Sequence, residues 1–278
     1  MVWLFFHEFE YNKVSVKGCD DVGVIRTDQW LKESKANPVE VCKKLTSFFP
    51  RGATARDIYE YLMMHGMYRS SSANILGRLP KNVWGLVEKE YADLQKQWNG
   101  PDVPIFIFPA DAGNSKIKRE FNGKSGLAFK DKLFLFFSPH NTQSEIKAVL
   151  THEYNHVCRL KKLKKNEADF TLLDTVILEG IAENAVREQC GSANLVGWTK
   201  YHSDEELRKI VKQLIIPNRN MKRNERKHND LLYGKGFYPK MAGYCAGYYL
   251  VRNHLESNKL RIKDIFAMDS MEFVKEYL

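Results

Sequence analysis

Residues Ala148 to Cys158 read A-V-L-T-H-E-Y-N-H-V-C, and within them His152, Glu153 and His156 form an H-E-x-x-H pattern. Side chains four apart on an α-helix stand one above the other on the same face. His152 and His156 can therefore offer two imidazoles to one tetrahedral Zn²⁺, with Glu153 beside the metal as a general base. The flanks read as a helix. Thr142 and Glu145, just after Pro139, have the spacing of a capping box, and Lys161, Lys162, Lys164 and Lys165 sit where a helix C-terminus favours cations. Ile146, Val149, Leu150, Val157 and Leu160 draw an apolar stripe that predicts burial. Two histidines and a carboxylate on a buried helix need partners, and one metal ion satisfies all three.

A second helix is expected from Thr171 to Gln189. Thr171 with Asp174 can cap its start and Gly191 can end it. Its surface is apolar except for Glu179 and Glu183, one turn apart. A catalytic zinc takes three protein ligands and keeps an open position for water. Glu179, with 22 residues between it and His156, is the expected third ligand. Gly180 beside it would let another backbone approach closely. Glu183 is expected to take an imidazole N–H and fix its tautomer.

H-E-Y-N-H followed by L-E-G-I-A-E resembles the gluzincin arrangement shared by thermolysin and the zinc aminopeptidases. More closely, the chain is similar to the YjaZ-like family of predicted Zn-dependent proteases of bacilli, from about Val103 to Leu255, and more weakly back to Gly23–Leu31. The resemblance implies an α+β, mostly helical, zincin-like metallopeptidase fold with a small mixed sheet before the H-E-x-x-H helix. It implies a peptidase using Zn²⁺ on a peptide or protein substrate, and names no particular substrate. Three strands are expected, Val103–Phe108, Phe121–Phe129 and Lys132–Phe137, the last two joined by a turn at Lys130-Asp131. By the same resemblance, an edge strand near Gly126 to Phe129 would pair with an extended peptide. Gly123 and Gly126 suit such an approach and equally suit a plain hairpin. Tyr244-Cys-Ala-Gly247 resembles the Y-x-x-G segment by which zinc aminopeptidases supply a catalytic tyrosine, so Tyr244 would donate to the oxyanion, with Tyr248 as the fallback.

The chain has 278 residues, 44% of them hydrophobic, enough for one large domain or two lobes. The expected organisation is a loosely packed extension over 1–22, a helical lobe over 23–100 and a catalytic domain over 101–278. Helices are expected from Thr27 onward, over Thr54–Met67 and Val83–Trp98, then around Glu205–Ile216 and after Pro239, with Leu260–Leu278 covering the core. No apolar run approaches the length needed to cross a bilayer. Met1–Phe6 lacks the basic flank of a signal peptide, which points to a cytoplasmic protein. Cys19, Cys42, Cys158, Cys190 and Cys245 are dispersed without C-x-x-C spacing, as suits reduced thiols. Cys158 falls on a different side of its helix from His156 and is expected to pack.

Net charge is +9, densest over Asn218–His228. That run has no interleaved aromatics and no nucleic-acid motif, so a solvated, mobile loop is expected and nucleic acid is an unfavoured partner. Either His202 or His228 could bind a transition-state oxyanion, but both are expected at the surface, and His254 in a structural role. Two rival functions stand beside the peptidase. One is a zinc-binding protein without catalysis, and the other a nucleic-acid-binding protein using the basic surface.

Overall fold

The computed structural model describes residues 22–115, 118 and 122–278. The expected extension over 1–22, with Cys19, therefore lies outside the described residues except for Val22, as does Phe121. The chain divides into two compact units, one running through Glu153 and the other from Tyr154 to Leu278.

Among the described residues the first unit holds a four-stranded mixed sheet and, between its first two strands, four α-helices. The helices are α1 (Thr27–Glu33), α2 (Pro38–Lys43), α3 (Ala55–Met64) and α4 (Val83–Trp98). The strands are β1 (Gly23–Val24), β2 (Pro104–Pro109), β3 (Ser125–Ala128) and β4 (Leu133–Phe137), in the order β1-β2-β4-β3. β1, β2 and β4 run parallel, and β3 pairs antiparallel with β4 at the edge. P-I-F-I-F-P and L-F-L-F-F are continuous apolar runs because both are buried on both faces. Phe106 stacks on Phe134 at 5.0 Å, and Phe49 and Phe129 each meet Phe134 at 6.0 Å.

Two features depart from expectation. A fourth strand, β1, joins the sheet. Two residues carry no readable alternation, so only backbone pairing with β2 reveals it. The Phe121–Phe129 strand is shortened to Ser125–Ala128, because Asn122 (φ 50°) and Gly123 (φ 69°) form a turn before it. The turn at Lys130-Asp131 is as expected, closed by Phe129 N–H donating to Lys132 O at 2.9 Å.

Helix α5 (Gln143–Lys162) follows the sheet and passes through the division between the units. Its capping box forms. Thr142 N–H donates to Glu145 Oε2 at 2.9 Å, and Glu145 N–H donates to Thr142 Oγ1 at 3.3 Å. Burial opposes ionisation of Glu145. Hydrogen bonds from Lys124, Asn122 and Thr142 outweigh it and hold the carboxyl at about 2, so the cap is charged at neutral pH.

The second unit is helical. It contains α6 (Leu172–Cys190), α7 (Asp204–Ile210), α8 (Arg226–Tyr233) and α9 (Ala242–Asn258). Asp174 accepts from both the N–H and the hydroxyl of Thr171, at 2.8 and 2.9 Å. Gly191 ends α6 at a φ of 79°. α7 runs on through a π-helical stretch, Val211–Ile215, into Ile216–Asn218. Pro217 explains the widening: it has no N–H to donate and crowds the preceding turn. Asn218 Nδ2 donates instead to Leu214 O at 2.8 Å.

The basic run 218–228 is not a loose loop. Its carbonyls serve the start of α6: Leu172 N–H donates to Met221 O at 2.9 Å and Leu173 N–H to Arg219 O at 3.2 Å. These are first-turn donors that a helix cannot satisfy internally. The C-terminal stretch forms short 3₁₀ helices, Ile262–Asp264 and Ser270–Tyr277. Arg159 of α5, fully buried, holds them by donating to the carbonyls of Ile265, Phe266 and Met268.

Candidate metal centre

His152 and His156 lie one turn apart on α5, and Glu179 lies in the middle of α6; all three are buried. One ligand-capable atom from each falls within 4.8 Å of the other two. His156 Nε2 is 3.9 Å from Glu179 Oε2. With bonds of about 2.0–2.1 Å, atoms around a tetrahedral zinc stand roughly 3.4 Å apart. The cluster is slightly wider than that, within reach of small side-chain rotations. Two imidazole nitrogens and one carboxylate oxygen are a donor set that suits zinc. Among the described residues no fourth His, Cys, Asp or Glu joins the group. Cys158 is outside it, buried, with its thiol pushed up to about 12 by burial, as expected of a packing residue.

The position of Glu179 is set by the approach of α6 to α9. A Cβ on Gly180 would stand 2.2 Å from Gly247 O, and a Cβ on Gly247 would stand 2.0 Å from Val176 O. The two backbones touch where each lacks a side chain, which is what Gly180 was expected to permit. Farther along, Asn184 Nδ2 donates to Tyr248 O at 3.0 Å, and Arg187 Nη1 pairs with Glu256 Oε1 at 2.7 Å. Contacts therefore advance in step along both helices.

Glu183 is buried one turn past Glu179, and its Oε1 accepts the Val196 N–H at 2.8 Å. That bond ties the segment after α6 back onto it. The same segment is fixed to α9, since Cys245 Sγ donates to Trp198 O at 3.1 Å. The Trp198 ring is thereby set edge-on to Tyr244 at 5.4 Å and to Tyr248 at 6.5 Å. Tyr244 is buried and also meets Tyr233 at 5.5 Å. Tyr248 is buried as well, and burial raises its pKa.

Glu153 is held from another direction. A Cβ on Gly126 would stand 2.3 Å from Glu153 Cγ, 2.6 Å from Cδ and 2.7 Å from Oε1. The edge strand β3 thus passes directly against this carboxylate, with only a glycine between. Ser125 Oγ donates to His65 O at 2.9 Å, and Gly126 is in register with Leu135 of β4, so the strand is fixed on both sides.

His228, expected at the surface, is fully buried, with Nε2 3.2 Å from Thr175 Oγ1; burial lowers its pKa. The signal was present: His228 shares an i, i+3, i+4 stripe with Leu231 and Leu232. His202 is half-buried, and its Nε2–H donates to Lys240 O at 2.8 Å. His254 packs on Phe273 at 4.7 Å, a structural role as expected.

Comparison with known proteins points to the same metal. A family model described as predicted Zn-dependent protease (domain of unknown function 2268) matches residues 83–275. The chain is 41% identical over 226 residues to the uncharacterized protein YjaZ of Bacillus subtilis (strain 168), covering 80% of this chain and 87% of that one. It is 19% identical over 190 residues to the uncharacterized protein YjfC of the same organism, covering 66% of this chain and 63% of that one. No solved structure matches.

Proposed function

Since the chain belongs to the family described as predicted Zn-dependent proteases, we propose that it is a zinc peptidase hydrolysing peptide bonds in peptide or protein substrates. The observation that carries this is the buried group of His152, His156 and Glu179, beside which Glu153 lies under a sheet edge. His152, His156 and Glu179 would hold the ion. Zinc, when bound, supplies a Lewis acid and lowers the pKa of water to about 7. Glu153 takes the proton from the attacking water and passes it to the leaving amine. Tyr244, or Tyr248 in its place, donates its phenolic hydrogen to the oxygen of the scissile carbonyl as charge develops there. Glu183 would take an imidazole N–H and fix its tautomer, while its Oε1 pins Val196 and with it the Trp198 ring that borders both tyrosines. β3 offers its outer edge to an extended substrate, and Gly126 leaves Glu153 room to face it.

With three donors among the described residues, the group suits a site that keeps a position for water, where a closed structural site would have a fourth protein ligand. The zincin-like fold, the lobes over 23–100 and 101–278 and a cytoplasmic location belong to the same proposal. Among the described residues no helix is long and apolar enough to cross a membrane.

Two measurements test it. Purified wild-type chain should carry zinc and Glu179→Ala should lose it; a metal-free wild type, reconstituted without effect, would count against the site. Glu153→Gln should keep the zinc and lose turnover of a peptide library by roughly 10²–10⁴-fold, the usual share of a general base. Equal turnover in that variant would remove Glu153 from the mechanism.

A further inference from the structure

Phe237 is the most exposed of the large hydrophobic residues described, at 107% of its reference area, and Tyr201 is another exposed one, at 45%. They belong to adjoining segments. His202 Nε2–H donates to Lys240 O at 2.8 Å, and Lys240 Nζ lies over the Tyr201 ring at 4.6 Å. The turn carrying Phe237 is built rather than slack. Gly234 (φ 68°) and Gly236 (φ 66°) take conformations that side chains disfavour, and a Cβ on Gly234 would stand 1.9 Å from Pro239 O. Lys235 N–H donates to Asp230 O at 2.8 Å and Met241 N–H to Tyr233 O at 3.0 Å, closing the turn on both sides. A fixed turn thus holds an aromatic ring fully in solvent, forgoing the gain from burying it.

The charges within the two segments are positive. Lys200, Lys235 and Lys240 are exposed, no Asp or Glu occurs over 189–203 or 231–255, and the acids Asp204, Glu205, Glu206 and Asp230 flank the segments in the chain. All three cations are lysines, point charges suited to a diffuse anionic surface; arginine forks would suit individual carboxylates. A ring standing wholly in solvent is a projecting knob, not the wall of a groove that could grip a peptide. Projecting aromatics among lysines are the composition that seats a protein at the headgroup boundary of a bilayer.

We propose that the surface formed by Tyr201, Phe237, Lys200, Lys235 and Lys240 binds reversibly to anionic lipid membranes, with Phe237 entering the acyl boundary. The lysines act over the surface at roughly fivefold each, and the Phe237 ring contributes roughly tenfold or more. None of these residues belongs to the candidate metal centre, so the inference stands or falls apart from the peptidase proposal.

The test is co-sedimentation of the full-length, zinc-loaded chain with phosphatidylcholine vesicles, with and without phosphatidylglycerol. Binding should require phosphatidylglycerol, weaken as salt shortens the range of the charges, fall about tenfold in Phe237→Ser, and disappear in the Lys235→Glu, Lys240→Glu double variant. Thermal unfolding of Phe237→Ser should match wild type, and the double variant should stay cooperatively folded, losing only the contacts of Lys235 with Tyr233 and of Lys240 with Tyr201. No retention on anionic vesicles, or equal retention of Phe237→Ser, overturns the inference. So does binding to soluble polyglutamate that is as tight as vesicle binding and is lost in the same variants, since that assigns the patch to acidic polypeptides.

Discussion

Gly180→Ala is expected to destabilise the second unit by about 3 kcal/mol, at the upper end of overpacking costs, and to weaken zinc binding with it. The added methyl carbon would start 2.2 Å from Gly247 O and 2.4 Å from Gly247 C. Both are backbone atoms, so no side chain can rotate away. α6 and α9 would have to separate by more than about 1 Å to restore ordinary contact distances of 3.5 Å or so. Glu179, the residue before, would travel with its helix, away from the position that now puts Oε2 3.9 Å from His156 Nε2. Gly247→Ala should behave alike, because its Cβ would meet Val176 O at 2.0 Å. Gly197→Ala is the control, with nothing within 4 Å of the new atom. Denaturant unfolding and zinc content, read on all three, decide the matter. Wild-type stability in Gly180→Ala would mean that the helices do not meet as described.

Gly126→Ala should weigh on turnover instead: lower stability by about 1–3 kcal/mol, the ordinary cost of overpacking, keep the zinc and remove turnover by roughly 10²–10⁴-fold, the contribution of a general base. The new Cβ would overlap Glu153 along its length, from Cγ at 2.3 Å to Oε1 at 2.7 Å. β3 cannot withdraw, since Ser125 is bonded to His65 O and the ladder to β4 fixes its register. Glu153 can, but only by turning about its Cα–Cβ bond, because the nearest overlap is at Cγ and not at the carboxylate end. That turn of a buried side chain costs some stability, and the larger loss appears in proton transfer, which depends on where that carboxylate sits. The pair Gly126→Ala and Glu153→Gln should then be no worse than either alone, as expected when both changes disable one group. Normal turnover in Gly126→Ala would show that the contact has no part in catalysis.

The elements were readable where they carried strong local chemistry. The capping boxes at Thr142 and Thr171 form, and the apolar runs of β2 and β4 are buried throughout. Of the stripe Ile146, Val149, Leu150, Val157 and Leu160, all are buried except Val149, which is half-buried. Elements without periodicity were missed. β1 is two residues long, and the π-helical widening before Pro217 leaves no pattern of its own. The basic run 218–228 reads as a solvated loop and most of its side chains do reach solvent, but its carbonyls also serve the start of α6, which side-chain polarity does not reveal. Side-chain composition is silent about backbone acceptors.

Spacing along the chain already placed two imidazoles on one face of a helix and offered Glu179 as their companion, because helical period converts sequence separation into direction. It also fixed the sheet-forming runs and the caps, which are interactions among near neighbours. Only the packed structure could decide that Gly126 lies on Glu153, that Gly180 meets Gly247, that Glu183 holds Val196, that His228 is buried and that Phe237 is not. Each of these joins residues far apart in the chain or sets an exposure. Periodicity says which face of an element turns inward, but not which other element it will find there.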